Sequence, residues 1–112
     1  MTDFSENKET TALILRDFEL TDPQKEMTEG ELLDYLAAAI DYMIEHKLDF
    51  LLSLMYRLDI SEKKINDALL PGNEENANIA IAKLVLDRQK QRVATKRAYR
   101  EKNPTNWDWE MD

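Results

Sequence analysis

The chain has 112 residues, a formal net charge of −8, one histidine, no cysteine, two glycines and three prolines. The absence of cysteine excludes disulfides and thiolate metal sites, and the single histidine excludes a two-histidine metal motif. Few glycines and prolines argue against an all-β fold with its many turns, so the composition favours a soluble, acidic, mainly helical domain.

Residues 1–27 are predicted to be a partly disordered N-terminal segment. The stretch 1–10 is polar and acidic and lacks the basic and apolar pattern of a signal peptide. Within 12–20, Ile14 and Phe18 have helical spacing, although the same stretch also fits one face of a strand. Because a lone strand would have no pairing partner, we expect a short helix here.

The helical domain is predicted over 28–102. Thr28 and Glu31 have the spacing of a capping box, which predicts the start of a first helix with one apolar face. A second helix at about 50–58 is apolar nearly all round, so we expect it at the centre of the fold. No apolar run approaches the ~20 residues that span a bilayer, so we expect a cytoplasmic protein without membrane contact.

A third helix is predicted at about 61–70. Either Asp59 or Ser61 is placed to cap its start, and Pro71 with Gly72 ends it. Together these elements predict an all-α fold, a small helical bundle of about four main helices with one long C-terminal helix.

The fourth helix is expected to begin after a cap at Asn73 and to end at Asn103-Pro104. At 1.5 Å per residue it would be roughly 43 Å long and project beyond the body of the domain. Its first half is apolar on two faces, whereas the second half, 88–102, is basic. The stripe that continues the apolar face is formed by Arg88, Arg92, Lys96 and Tyr99.

The basic half-helix 88–102 admits two interpretations. Its cations recur at the i,i+4 pitch, and they are expected to pair with the acidic face of the first helix, within one chain or between two. That acidic face carries Asp34, Asp41 and Glu45. The same cations have the pattern that follows a nucleic-acid backbone, although the net charge of −8 repels nucleic acid at long range.

The last predicted region is an acidic-aromatic tail, 103–112. It alternates Trp107, Trp109 and Met111 with acidic residues. Three interpretations remain open: a peptide ligand for a groove elsewhere, a segment folding back onto its own basic helix with Trp over Arg or Lys, and a disordered end.

The stretches LMYRLDISEKKI (54–65) and IAKLVLDRQKQRVATKR (81–97) resemble a family of small, uncharacterised helical proteins of bacteria. The family pattern joins L-x-YR-x-D-[VI]-x-E-x-K to a later I-A-x-L-x-x-x-RQ-x-Q. The matching residues are Tyr56, Arg57, Asp59, Ile60, Glu62, Lys64, Ile81, Ala82, Leu84, Arg88, Gln89 and Gln91. The resemblance implies a helical fold in a bacterial cytoplasm, without a known activity, substrate or cofactor.

Together the patterns predict a non-enzymatic protein–protein interaction module without catalytic residue, metal or cofactor. It is expected to form a homodimer through its long C-terminal helix by burying the stripe of Leu86 and Val93 and by pairing the basic residues with the acidic helix of the partner. The alternative is a nucleic-acid-associated protein that uses 88–102. The residues expected to contact a partner are Arg88, Arg92, Val93, Lys96, Arg97, Tyr99, Arg100, Trp107 and Trp109.

Overall fold

The computed structural model describes residues 4–21 and 26–102, and within these ranges the regular structure is entirely α-helical. The helices are α1 (Phe4–Asp17), α2 (Glu29–His46), α3 (Leu48–Arg57), α4 (Glu62–Leu69) and α5 (Ala77–Lys102). The predicted all-α bundle with a long C-terminal helix is confirmed, with α1 as a fifth helix. No helix in the described part of the chain is both long and apolar enough to cross a membrane.

The long helix α5 is the centre of the bundle. It packs against α1, α2 and α4, whereas α3 packs mainly on α2. Its first half buries Ile81, Ala82, Val85 and Leu86, so both predicted apolar faces are covered. The expectation that the second predicted helix would be central is wrong, because α3 packs mainly on α2 and exposes Ser53, Tyr56 and Arg57.

Local capping chemistry determines where α2 begins. The Thr28 side-chain oxygen accepts from the Glu31 backbone N–H at 3.1 Å, and a Glu31 carboxylate oxygen accepts from the Thr28 N–H at 2.9 Å. This is the predicted capping box, which satisfies two backbone donors at the helix start. One face of the helix is then buried along its length, through Leu32, Leu36, Ala37, Ile40 and Met43.

The two residues predicted as possible caps of α4, Asp59 and Ser61, have different roles at the corner between α3 and α4. Ser61 caps α4, since its hydroxyl accepts from the Lys64 N–H. Asp59 instead closes α3 in a left-handed conformation with φ of 65°. The Ile60 N–H donates to the Met55 carbonyl and the Asp59 N–H donates to the Tyr56 carbonyl, which is the hydrogen-bond pattern of a Schellman motif.

The prediction that Asn73 caps the last helix is wrong. Its side-chain amide donates to the carbonyls of Asp67 at 2.7 Å and Ala68 at 3.3 Å, at the end of α4. The last carbonyls of a helix lack intrahelical donors, which explains why the amide is used there. The carbonyl of Asn76 accepts the first bonds of α5, so this helix has 26 residues and a length of about 39 Å.

Helix α1 is the main departure from the sequence-based expectation. Residues 4–10, expected to be disordered, are helical, and Ile14 and Phe18 are fully buried. The helix runs antiparallel to α5, because Glu9 contacts Arg97 whereas Asp17 contacts Gln89. The C-terminal half of α5, which was expected to project beyond the body of the domain, is therefore covered on one side by α1.

Candidate functional site

The α1–α5 groove is a surface cavity between α1 and the C-terminal half of α5, with a volume of about 420 Å³. Its α5 side follows one helical stripe, because the contributing positions recur three or four residues apart. Apolar atoms form much of its lining, and four of its side chains carry positive charge. It is lined by Leu13, Arg16, Arg88, Arg92, Thr95, Lys96 and Tyr99.

A polar triad centred on the buried Gln89 positions Arg92, one of the residues that line the groove. Gln89 is fully buried, and its amide nitrogen donates to an Asp17 carboxylate oxygen at 2.9 Å. The amide oxygen of Gln89 accepts from the Arg92 guanidinium at 3.0 Å, and that guanidinium lies 3.6 Å from the same Asp17 oxygen. Each polar group in this contact has a partner, so the triad locks α1 onto α5 and orients Arg92.

A second ionic contact secures α1 farther along α5. The Glu9 carboxylate accepts from Arg97 at 2.7 Å and from Arg100 at 3.5 Å. Partial burial by itself would raise the pKa of Glu9, but the hydrogen bonds and charges of Arg97 and Arg100 together lower it below the ordinary glutamate value. Glu9 is therefore an anion at neutral pH and neutralises part of the basic half-helix.

Two further cations of this region, Arg88 and Lys90, also have partners within the chain. Arg88 donates to the Leu58 carbonyl at 2.7 Å, and Lys90 pairs with Glu29 at 3.0 Å. The expected pairing with Asp34, Asp41 and Glu45 in the same chain is wrong. These three carboxylates are exposed on α2, whereas the described carboxylates that pair with the basic half of α5 come from α1, from the α3–α4 corner and from the start of α2.

Lys96 differs from its basic neighbours. Its exposed ammonium forms no hydrogen bond or ion pair with any residue that the structure describes. Beside it, Tyr99 is 53% exposed and also lines the groove. A cation and an aromatic ring at the edge of an apolar cavity are a suitable contact surface for an acidic and aromatic ligand.

The structure separates the predicted contact residues into three groups. Arg88, Arg92, Lys96 and Tyr99 line the groove, whereas Arg97 and Arg100 bind Glu9. Val93 is 2% exposed and Leu86 is 5% exposed. The prediction that these two side chains form a dimer contact is wrong, because they are already buried within the chain. Trp107 and Trp109 lie outside the described residues.

The sequence analysis missed the contribution of α1. Leu13 and Arg16 form one side of the groove, while Glu9 and Asp17 hold the helix in place. The available signal is the i, i+4, i+8 spacing of the three α1-region side chains that the structure buries, Thr10, Ile14 and Phe18.

A second, more polar cleft of about 660 Å³ lies between α1, the α3–α4 corner and α5. It has charges of both signs, with Asp59 and Asp87 beside Lys64 and Arg88. Within the described part of the chain, no group of three or more His, Asp or Glu side chains is arranged to hold a metal ion.

Comparison of the chain with protein-family models, with curated proteins and with solved structures finds no match. The resemblance to small helical bacterial proteins therefore stays a prediction. The function is argued below from the α1–α5 groove and the charges around it.

Proposed function

We propose that the protein is a non-enzymatic, cytoplasmic interaction module that self-associates through its long C-terminal helix, with the α1–α5 groove as the contact surface. The observation that carries the proposal is the combination of an apolar cavity with a cation at its edge, Lys96, that has no partner among the described residues. Hydrophobic lining supplies contact area in such a site, and the charged rim supplies specificity.

The proposed counterpart is the exposed face of α2 in a second copy of the chain. That face carries Asp34 and Asp41, which pair with no described residue, and Tyr42, which is 57% exposed. The two surfaces are therefore complementary in charge, and each contributes an aromatic ring. In a two-fold symmetric dimer, the contact between the groove and α2 would form twice.

Light scattering over a range of protein concentrations tests self-association directly. The apparent mass is expected to rise towards twice that of the chain as the concentration increases. Lys96→Glu replaces an attraction by a repulsion in both symmetry-related contacts. We expect the loss of binding free energy to be about 0.5–1 kcal/mol per contact near a surface. The dimer should therefore weaken by about five- to thirty-fold.

The partner surface is tested by charge exchange. Combining Lys96→Glu with Asp41→Lys restores opposite charges across the proposed contact and should recover most of the lost affinity. Lys64→Glu on α4 is the matched control, since it makes the same charge change at another exposed lysine. A mass that stays at one chain throughout would overturn the proposal.

The alternative function, association with nucleic acid, depends on the same half-helix. It has less support from the contacts, because Lys90, Arg92, Arg97 and Arg100 are already paired with carboxylates. RNA binding that falls steeply with added salt and is lost in Lys96→Glu would favour this alternative over self-association.

A further inference from the structure

We propose that residues 103–112 dock in the α1–α5 groove of their own chain and compete there with a second copy. The inference rests on the proposed function, because it assigns the groove a ligand that regulates self-association. Four features carry it: the composition of the segment, its reach, a cation that has no partner among the described residues, and the linkage of segment and groove in one chain.

The composition of the segment matches the groove. Residues 103–112 have a net charge of −3, and the groove is lined by three arginines and a lysine. Trp107 and Trp109 alternate with Asp108 and Glu110. In an extended segment such alternation places the aromatic rings on one side and the carboxylates on the other. The rings fit the apolar lining, and the long cationic side chains of the rim reach over the segment to its carboxylates.

The segment also has the required reach. Helix α5 ends at Lys102, and Asn103-Pro104 directly follows it, which is a sequence that favours a turn. From Pro104, an extended chain at ~3.3 Å per residue places Trp107 about 10 Å away and Trp109 about 17 Å away. At 1.5 Å per residue along α5, Lys96 lies about 9 Å and Arg92 about 15 Å before Lys102. A segment that runs back along α5 after Pro104 therefore brings Trp107 level with Lys96 and Trp109 level with Arg92.

Docking within one chain has an advantage that a free partner lacks. A short connection holds the segment near the groove at an effective concentration of roughly millimolar, so contacts that are weak singly still become populated. Lys96 has no partner among the described residues, and the proposed path brings Trp107 and the neighbouring carboxylate of Asp108 level with it. A second copy must displace the segment before it contacts this surface.

Tryptophan fluorescence of the full chain tests the docking. Trp107 and Trp109 are the two tryptophans of the chain, so the emission reports on this segment directly. At concentrations where the chain is monomeric, we expect blue-shifted emission and several-fold weaker quenching by acrylamide than in a free peptide of residues 103–112. Lys96→Glu and Leu13→Ser should move both signals towards those of the peptide, whereas the control Lys64→Glu should not.

Two results would overturn the docking. The first is emission and quenching equal to those of the free peptide. The second is protection that appears only at concentrations where the dimer forms, which would place the segment on the second copy.

Light scattering of the full-length variant with Trp107→Ser and Trp109→Ser separates this inference from the proposed function. If the segment competes, the variant should dimerise at several-fold lower concentration than the natural chain. Dimerisation unchanged by the two substitutions overturns the competition but leaves the proposed function standing. Protected tryptophans in a chain whose variant never dimerises would support docking and contradict self-association.

Discussion

Replacing Thr10 by valine is expected to stabilise the protein. Thr10 faces α5 from the middle of α1 and is 2% exposed, and its hydroxyl oxygen has no hydrogen-bond partner among the described residues. A buried polar group without a partner costs about 1–3 kcal/mol. Valine has nearly the same shape and replaces that hydroxyl by a methyl group.

We take the lower end of that range, about 1 kcal/mol, as the expected gain. At about 2.1 cal/mol/K per residue, the unfolding entropy of 112 residues is about 0.24 kcal/mol/K. Dividing the gain by this entropy gives a rise in melting temperature of about 4 °C.

Differential scanning calorimetry of the natural chain and of Thr10→Val measures this shift. Thr11→Val is the matched control, since it changes the same atoms at a half-buried neighbour that has an interaction partner. A melting temperature for Thr10→Val that is unchanged or lowered would refute the reasoning, because it would mean that the hydroxyl is satisfied in the folded protein.

Three further predictions concern the contacts that hold the bundle together. Glu9→Gln should cost about 0.5–1 kcal/mol at neutral pH in urea unfolding. Because the pKa of Glu9 is lowered in the folded state, its contribution is complete at neutral pH and is lost as the pH falls through that pKa, so natural and variant stabilities should converge only when the pH is below the ordinary glutamate pKa. Gln89→Leu removes the amide that joins Asp17 to Arg92 and should cost about 2–3 kcal/mol in the same assay; a loss below about 0.5 kcal/mol would contradict the triad. Glu19→Gly relieves a left-handed residue with φ of 54° and should raise the unfolding free energy by about 0.5 kcal/mol, where a decrease would contradict the strain.

The elements that the sequence predicts well are those with local chemical signals. Thr28 and Glu31 form their capping box within four residues, and Ser61 caps α4 in the same manner. The role of Asn73 is harder to assign, because an asparagine between two helices can hydrogen-bond either to the end of the first helix or to the start of the second. The structure uses it for the first, where the carbonyls of α4 lack donors.

The α1–α5 groove is only partly predictable, for a physical reason. The stripe of Arg88, Arg92, Lys96 and Tyr99 follows from helical spacing, but its neighbour is a helix about 80 residues earlier in the chain. A helical wheel shows which side chains share a face without showing which element covers it. The acidic face of α2 was therefore expected opposite these cations, whereas Asp17 and Glu9 of α1 take that place.

The antiparallel packing of α1 on α5 has a consequence for the order in which the helices pack during synthesis. Glu9 and Arg97 are 88 positions apart, which corresponds to about 4–18 s of synthesis at 5–20 residues per second. During that time α1 is a 14-residue helix without its packing partner, a length at which isolated helices are marginal in water. Helix α1 is therefore synthesised well before its packing partner, and the α1–α5 groove arises only when translation has passed α5. A nascent chain that ends before α5 has no such surface, so the groove exists only in chains in which α1 and α5 have both been made and have packed together.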